Sequence, residues 1–329
     1  MNFNKHILVV AGEPNSIFLE IFFKSLKKLK IKKPLILIAS RRLVELQMKK
    51  LKFKKKIKII DEKNFLKLKL DNKSLNIINI NYSTSKAFEK ISSKSNMYIK
   101  ESFEMAFKIL KKNKINRLIT GPISKKTFLN RKFLGLTEYI SAKFNVKNSA
   151  MLIYNKKLSV CPITTHLPLK FVTKKINKKL IIEKIKLINN FYKYNLSINP
   201  KIAVLGINPH CESIDKFNED NKILYPAIKY LKKLKIKVSG PYPADTIFLK
   251  ENSKKFNIIV GMYHDQVLTP LKTLFEYDAI NITVGLPFLR VSPDHGPNEK
   301  MLGKNKSNPL SLIKAISFLD KNWLKQRKA

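Results

Sequence analysis

The stretch Ile258-Ile259-Val260-Gly261-Met262-Tyr263-His264-Asp265-Gln266 passes abruptly from an apolar run to a polar cluster. Short apolar runs of this length, bounded by such clusters, read as strands. Two neighbouring stretches repeat the arrangement: residues 202–206 run into Asn208-Pro209-His210, and residues 280–284 run into Gly285-Leu286-Pro287. Working outward, residues 6–12, 34–40 and 117–123 also read as strands, the last leading into Thr120-Gly121-Pro122. Helical patterns lie between them. Residues 17–29 place Ile17, Leu19, Ile21, Phe22, Leu26 and Leu29 on one face. Residues 41–51, 87–110 (with a break near 92–95), 179–194 and 310–325 follow the same period. Strands alternating with helices argue for parallel βα units, hence an α/β fold. The one change of character is 151–154 and 158–163, joined by Asn155-Lys156-Lys157, which reads as an antiparallel hairpin. In open α/β sheets ligands gather at the carboxyl ends of strands, so the polar clusters mark where a site belongs.

Composition narrows the classes. With 329 residues, 44% of them apolar, the chain can bury a large core. No window approaches the roughly 18–20 apolar residues of a membrane span. The N-terminal apolar run is too short for a secretory leader. Two cysteines, Cys161 and Cys211, build no disulfide framework and have no paired metal spacing, so a reducing cytoplasm is the expected location. The 66 Lys+Arg against 23 Asp+Glu give +43, a charge that would attract nucleic acid or phosphorylated metabolites. Lysine is spread along the whole chain beside abundant asparagine and isoleucine. No zinc-finger spacing, RNA-binding aromatic motif or compact basic arm accompanies it. A nucleic-acid-binding protein without catalysis therefore stands as the reading from a different class, and membrane partners are not expected.

Three of the five histidines, His166, His210 and His264, follow strand-like segments in polar contexts. Neutral imidazoles suit zinc and similar divalent ions, and three of them leave positions open for a substrate. A hydrogen-bonded loop histidine would read the same way one residue at a time, since the separations match no local zinc motif. Lys272, Asn281 and Arg290 form a second, cationic and polar set on consecutive segments. Arg290 sits in Pro287-Phe288-Leu289-Arg290, where a charge among apolar residues needs an anionic partner. Asp245 and Asp265 are candidates for general base or for orienting a metal-bound histidine. A helix N-cap is an equal reading for Asp245.

Eight motifs in order carry a resemblance over nearly the whole chain. They are Thr120-Gly121-Pro122-Ile123, Gly135-x-Thr137-Glu138, Thr165-His166-Leu167-Pro168, Asn208-Pro209-His210, Gly240-Pro241-x-Pro243-Ala244-Asp245-Thr246, and Met262-Tyr263-His264-Asp265-Gln266. Asn281-Ile282-Thr283-x-Gly285-Leu286-Pro287-Phe288-x-Arg290 and Asp294-His295-Gly296 complete the set. The chain resembles the 4-hydroxythreonine-4-phosphate dehydrogenase family of vitamin B6 biosynthesis, within the isocitrate/isopropylmalate dehydrogenase-like fold. That fold has two lobes of α/β/α layers around a central cleft, here 1–125 with 275–329 and 126–274.

The resemblance implies a divalent metal on His166, His210 and His264, zinc first and cobalt, manganese or magnesium as alternatives. It implies substrate contacts from Thr137, Lys272, Asn281 and Arg290. The segment with His295, Gly296, Gly303-Lys304 and Asn308 is implied to receive the adenosine of NAD or NADP, and a homodimer is implied with its site at the subunit interface. The reaction implied is oxidation and decarboxylation of 4-(phosphooxy)-L-threonine to 3-amino-2-oxopropyl phosphate. Three departures bear on the substrate: the glycine-rich first turn has become Gly12-Glu13-Pro14-Asn15-Ser16-Ile17-Phe18-Leu19-Glu20, Leu136 replaces a histidine, and the segment after His210 has lost its glycines. A related phosphorylated hydroxy acid such as 4-phospho-erythronate is the runner-up substrate.

Overall fold

The computed structural model describes residues 6–112, 115–130, 132–214 and 216–321. Its strands are β1 (Ile7–Val10), β2 (Leu35–Ala39), β3 (Ile57–Ile59), β4 (Leu75–Asn79), β5 (Arg117–Thr120) and β6 (Ala150–Tyr154). The remainder are β7 (Ser159–Pro162), β8 (Ile202–Leu205), β9 (Val238–Tyr242), β10 (Ile258–Gly261), β11 (Ile280–Val284) and β12 (Leu289–Pro293). The chain divides into two compact units: the first runs through to Tyr139 and takes in Pro287–Lys321, and the second is Ile140–Leu286. These boundaries fall later than the 125/126 and 274/275 read from the sequence. The helix Leu136–Lys143 straddles the first of them, and β11 belongs with β6.

In the first unit the strand order is β3-β4-β2-β1-β5-β12, with every pair parallel. Parallel strands are covered on both faces and so read as continuous apolar runs. β1 and β2, Ile-Leu-Val-Val and Leu-Ile-Leu-Ile-Ala, are buried along their whole length. The helix Phe18–Lys28 buries Phe18, Leu19, Ile21, Phe22 and Phe23. Each such side chain contributes about 1.5–3 kcal/mol when taken fully out of water. Lys27 and Lys28 fall in its last turn, the favourable end of the helix dipole for cations. Ser40 caps the next helix, Arg41–Lys50, by accepting the N–H of Leu43.

In the second unit the order is β11-β6-β7-β10-β8-β9. β11 with β6 and β6 with β7 are antiparallel, which confirms the expected hairpin; β7, β10, β8 and β9 are parallel. Ile153, Val160, Leu205 and Ile259 form the core with Val267 and Leu271 from the helix His264–Phe275. Asn177 caps the helix Lys178–Phe191 through the N–H of Leu180.

One expected helix is shorter than its pattern. Within 87–110 only Asn96–Lys111 is helical, preceded by a tight turn at Ser93–Ser95. The backbone before it is committed elsewhere: Gln47 Nε2 donates to the Ala87 carbonyl at 2.9 Å and Glu89 N–H donates to Asn15 Oδ1 at 2.8 Å. The last helix is Leu310–Asp320; the expected continuation past 321 lies outside the described residues. No described helix is long and apolar enough to cross a membrane.

Candidate active site

The three candidate histidines follow three neighbouring parallel strands: His166 comes after β7, His264 after β10 and His210 after β8, with β10 in the middle. Specific bonds lock these strand ends together. Thr164 donates through both its N–H (3.1 Å) and its hydroxyl (2.8 Å) to the Met262 carbonyl, joining the segments after β7 and β10. The Gln266 amide joins the segments after β10 and β8: it accepts the Met262 N–H at 2.7 Å and donates to the Gly206 carbonyl at 2.7 Å.

The His166 and His264 rings lie 5.6 Å apart between centroids. Two imidazoles on one ion, with ring nitrogens about 2.0–2.1 Å from it, bring their ring centres about 5–6 Å apart, so this pair fits two positions of a metal site. His264 begins its helix, and its Nδ1 lies 2.6 Å from Asp265 Oδ1. A carboxylate on one ring nitrogen fixes the direction of the other, the usual support of a metal-bound histidine. Asp265 thus stands where an orienting group stands, with its side chain largely exposed. His210 is on the exposed turn Pro209–Cys211. It is not gathered with the other two: among the described residues no three His, Cys, Asp or Glu side chains group closely enough to hold a metal ion.

In the first unit the feature of note is Arg290, buried on β12. Its Nε and Nη2 donate to Thr120 Oγ1 at 3.1 and 2.8 Å, and its Nη1 donates to Thr137 Oγ1 at 3.3 Å. Thr120 ends β5, the strand parallel to β12, and Thr137 opens the helix Leu136–Lys143. Burial brings the guanidinium pKa down to about 10 against the opposing charge of Glu138. It stays cationic at neutral pH, and a planar fork held beside hydroxyls is suited to a phosphate or carboxylate.

The other predicted residues are placed as follows. Asn281 on β11 carries a buried Oδ1 with no hydrogen-bond partner among the described residues. Lys272 is half-buried in the last turn of the helix His264–Phe275. Asp245 is exposed in a turn after β9 and caps no helix; burial first, then the charge of Asp220 and more weakly that of Asp245, pushes the Cys211 thiol pKa up. His295 bonds the Gly296 carbonyl through Nδ1 at 2.8 Å, and a side chain at Gly296 would meet open space. Asn308 Oδ1 accepts the Leu310 N–H at 2.9 Å, so it helps to start the last helix.

The altered first turn is filled rather than open. Glu13 N–H donates to the Pro122 carbonyl, and Ile17 N–H to the Pro297 carbonyl. The buried Glu13 carboxylate accepts the Asn15 N–H and the Ser95 hydroxyl, each at 3.1 Å. A β-carbon on Gly121 would sit 2.0 Å from the Ala11 carbonyl oxygen and 2.9 Å from the Phe18 ring. Phe18 packs against the backbone of the Thr120-Gly121-Pro122 motif.

By fold the chain is an α/β protein of the isocitrate/isopropylmalate dehydrogenase-like class. Isocitrate dehydrogenase from Methylococcus capsulatus matches with a TM-score of 0.50 at 9% identity, covering 95% of this chain and 84% of that one. Within the class, residues 30–319 match the model of the family described as Pyridoxal phosphate biosynthetic protein PdxA, and the chain belongs to that family. The 4-hydroxythreonine-4-phosphate dehydrogenase of Sulfurihydrogenibium sp. is 37% identical over 317 residues, 95% of this chain and 96% of that protein. The crystal structure of the same-named enzyme from Klebsiella pneumoniae matches with a TM-score of 0.82 at 27% identity, covering 96% of this chain and 98% of its own. A D-threonate 4-phosphate dehydrogenase from Pectobacterium atrosepticum is 33% identical over 225 residues, 65% of this chain and 69% of that protein.

Proposed function

We infer that the protein is an oxidoreductase of vitamin B6 biosynthesis, acting on 4-(phosphooxy)-L-threonine with NAD or NADP as acceptor. The secondary alcohol is oxidised to a ketone, and the resulting β-keto acid releases carbon dioxide to leave 3-amino-2-oxopropyl phosphate. The observation that carries this reading is the kinship over 95% of the chain with an enzyme of that name, with His166, His210 and His264 following adjacent parallel strands.

Arg290, oriented by Thr120 and Thr137, holds the anionic end of the substrate, with Lys272 and Asn281 as further contacts. They supply orientation rather than bond chemistry. Asn281 suits this role because its buried carbonyl oxygen can accept a substrate N–H or O–H. His166 and His264 would hold the divalent ion, zinc first, and His210 completes the set when two copies of the chain form a homodimer. When bound, the ion supplies Lewis acidity toward substrate oxygens and the nicotinamide takes up the electrons leaving the carbinol carbon. Asp265 keeps the His264 ring in one orientation; Asp245 or Asp265 takes the alcohol proton. His295, Gly296 and Asn308 lie on the segment assigned to the nucleotide. The two free cysteines fit a reducing cytoplasm.

The test follows reduction of NAD and of NADP with 4-(phosphooxy)-L-threonine, before and after exhaustive chelation. Activity should vanish on chelation and return with zinc, cobalt or manganese; turnover indifferent to complete metal removal sinks the metal assignment. A second substrate reading is kept alive by Leu136, which cannot donate the hydrogen bond of the histidine it replaces, and by the D-threonate 4-phosphate relative. D-threonate 4-phosphate and 4-phospho-erythronate belong in the same assay, and kcat/KM decides between them.

A further inference from the structure

The turn that carries His210 is held by a residue outside every motif. Asp220 is fully buried. Its Oδ1 accepts the Ile207 N–H at 2.9 Å, and its Oδ2 accepts both the Asn208 N–H at 3.1 Å and the Asn208 side-chain amide at 3.0 Å. That same amide donates to Glu219 Oε2 at 3.0 Å, so Asn208 is gripped from two sides. The fit is close: a β-carbon on Gly206 would lie 2.9 Å from Asp220 Oδ1 and 2.6 Å from Cys211 Sγ.

Immediately after Asn208-Pro209, His210 and Cys211 are both left-handed, with φ of 54° and 64°. Neither is glycine, so each adopts this conformation against the preference of an L side chain. Successive residues of this kind persist only where their surroundings over-determine them. The departure from glycine after His210 therefore has a structural counterpart: backbone freedom is replaced by a buried carboxylate that accepts three N–H donors.

We propose that Asp220 is a positioning residue, fixing the Asn208-Pro209-His210 turn so that the His210 imidazole is presented to the ion it shares with His166 and His264 of a second copy of the chain. The inference deepens the metal reading above and rests on it for the identity of the ligand. Asp220 itself touches neither ion nor substrate; it acts through the backbone of the turn. Supporting groups of this kind alter metal affinity by about 10–100-fold when removed.

The test uses the full-length chain with Asp220→Asn, which keeps the volume but leaves one acceptor where there were two. Asn208→Ser, which removes only the side-chain bonds, is the milder companion should the first variant fail to fold. Two readouts are taken: a cobalt titration followed by visible absorption, and the ring ¹⁵N signals of the five histidines in metal-free protein, with His210 assigned by His210→Gln. We expect cobalt affinity to fall at least tenfold and the His210 signals to move while those of His166 and His264 stay. Cobalt affinity unchanged in a folded variant, or an unmoved His210 ring, overturns the proposal. Failure of the unsubstituted protein to bind cobalt defeats the metal reading instead, and the ring signals then decide the positioning role alone.

Discussion

At Arg290 a cation is carried into the interior of the first unit and met by hydroxyls of Thr120 and Thr137. Lysine can deliver the charge but not the planar fork. Arg290→Lys should therefore weaken substrate binding by about 10–100-fold, the equivalent of about 1.5–3 kcal/mol in charge-assisted hydrogen bonds. KM for the phosphorylated substrate and the inhibition constant of inorganic phosphate measure it; unchanged values refute the role. The pH dependence has a definite sign. With a pKa near 10 the group is charged below that value and neutral above it, so its contribution to anion affinity is level through neutral pH and declines as pH rises past about 10. Arg290 was legible because its apolar flanks made an isolated charge implausible. Asp220 was not: Glu219-Asp220-Asn221 reads like any solvated acidic turn, and only the tertiary fold puts its carboxylate against the Asn208 turn.

At the scale of the element, the turn between β1 and its helix is built around a buried acid. Desolvation raises the Glu13 pKa and outweighs the Asn15 N–H and the Ser95 hydroxyl, which pull it down. Below the unfolded pKa the residue is neutral in both states and costs nothing. As pH rises, the unfolded chain ionises first, so a stability penalty grows until the folded pKa is passed and then stays constant. Glu13→Gln should thus raise Tm at pH 8 by about 2–4 °C, the shift that about 1 kcal/mol produces in domains of 150–250 residues. The advantage should shrink toward pH 4. Thermal melts at both pH values check it, and equal gains at the two would refute it. Elements with a clean period were readable beforehand, among them β1, β2, β8, β10, β11 and the hairpin. Those missed lack the signal physically. β3 is a three-residue edge strand in a lysine-rich stretch, and its exposed Lys58 and Ile59 give no core alternation. The helix His264–Phe275 contains Pro270 in its interior, a residue that ordinarily argues against a helix. The overextended segment at 87–95 failed for the opposite reason: its pattern was helical, but its backbone groups had partners on other segments.

For the molecule as a whole, the lysines behind the charge of +43 are spread along the entire sequence. The predicted assembly is two copies of the chain. Light scattering across a dilution series should return twice the single-chain mass into the micromolar range. A single-chain mass throughout would remove the shared arrangement of His166, His210 and His264.

The first unit has a further consequence, because it is discontinuous in sequence. Thr120 and Arg290, which bond each other, are 170 residues apart, and β12 completes the parallel row beside β5 only after the whole of Ile140–Leu286. On the ribosome, β5 emerges long before its neighbour exists and waits with one edge open, the kind of template that invites mispairing with other nascent chains. The described residues of the second unit, Ile140–Leu286, form one unbroken stretch that is free to fold during that wait. The middle of the chain can thus fold first, and the bond between Thr120 and Arg290 closes only after all of Ile140–Leu286 has been made.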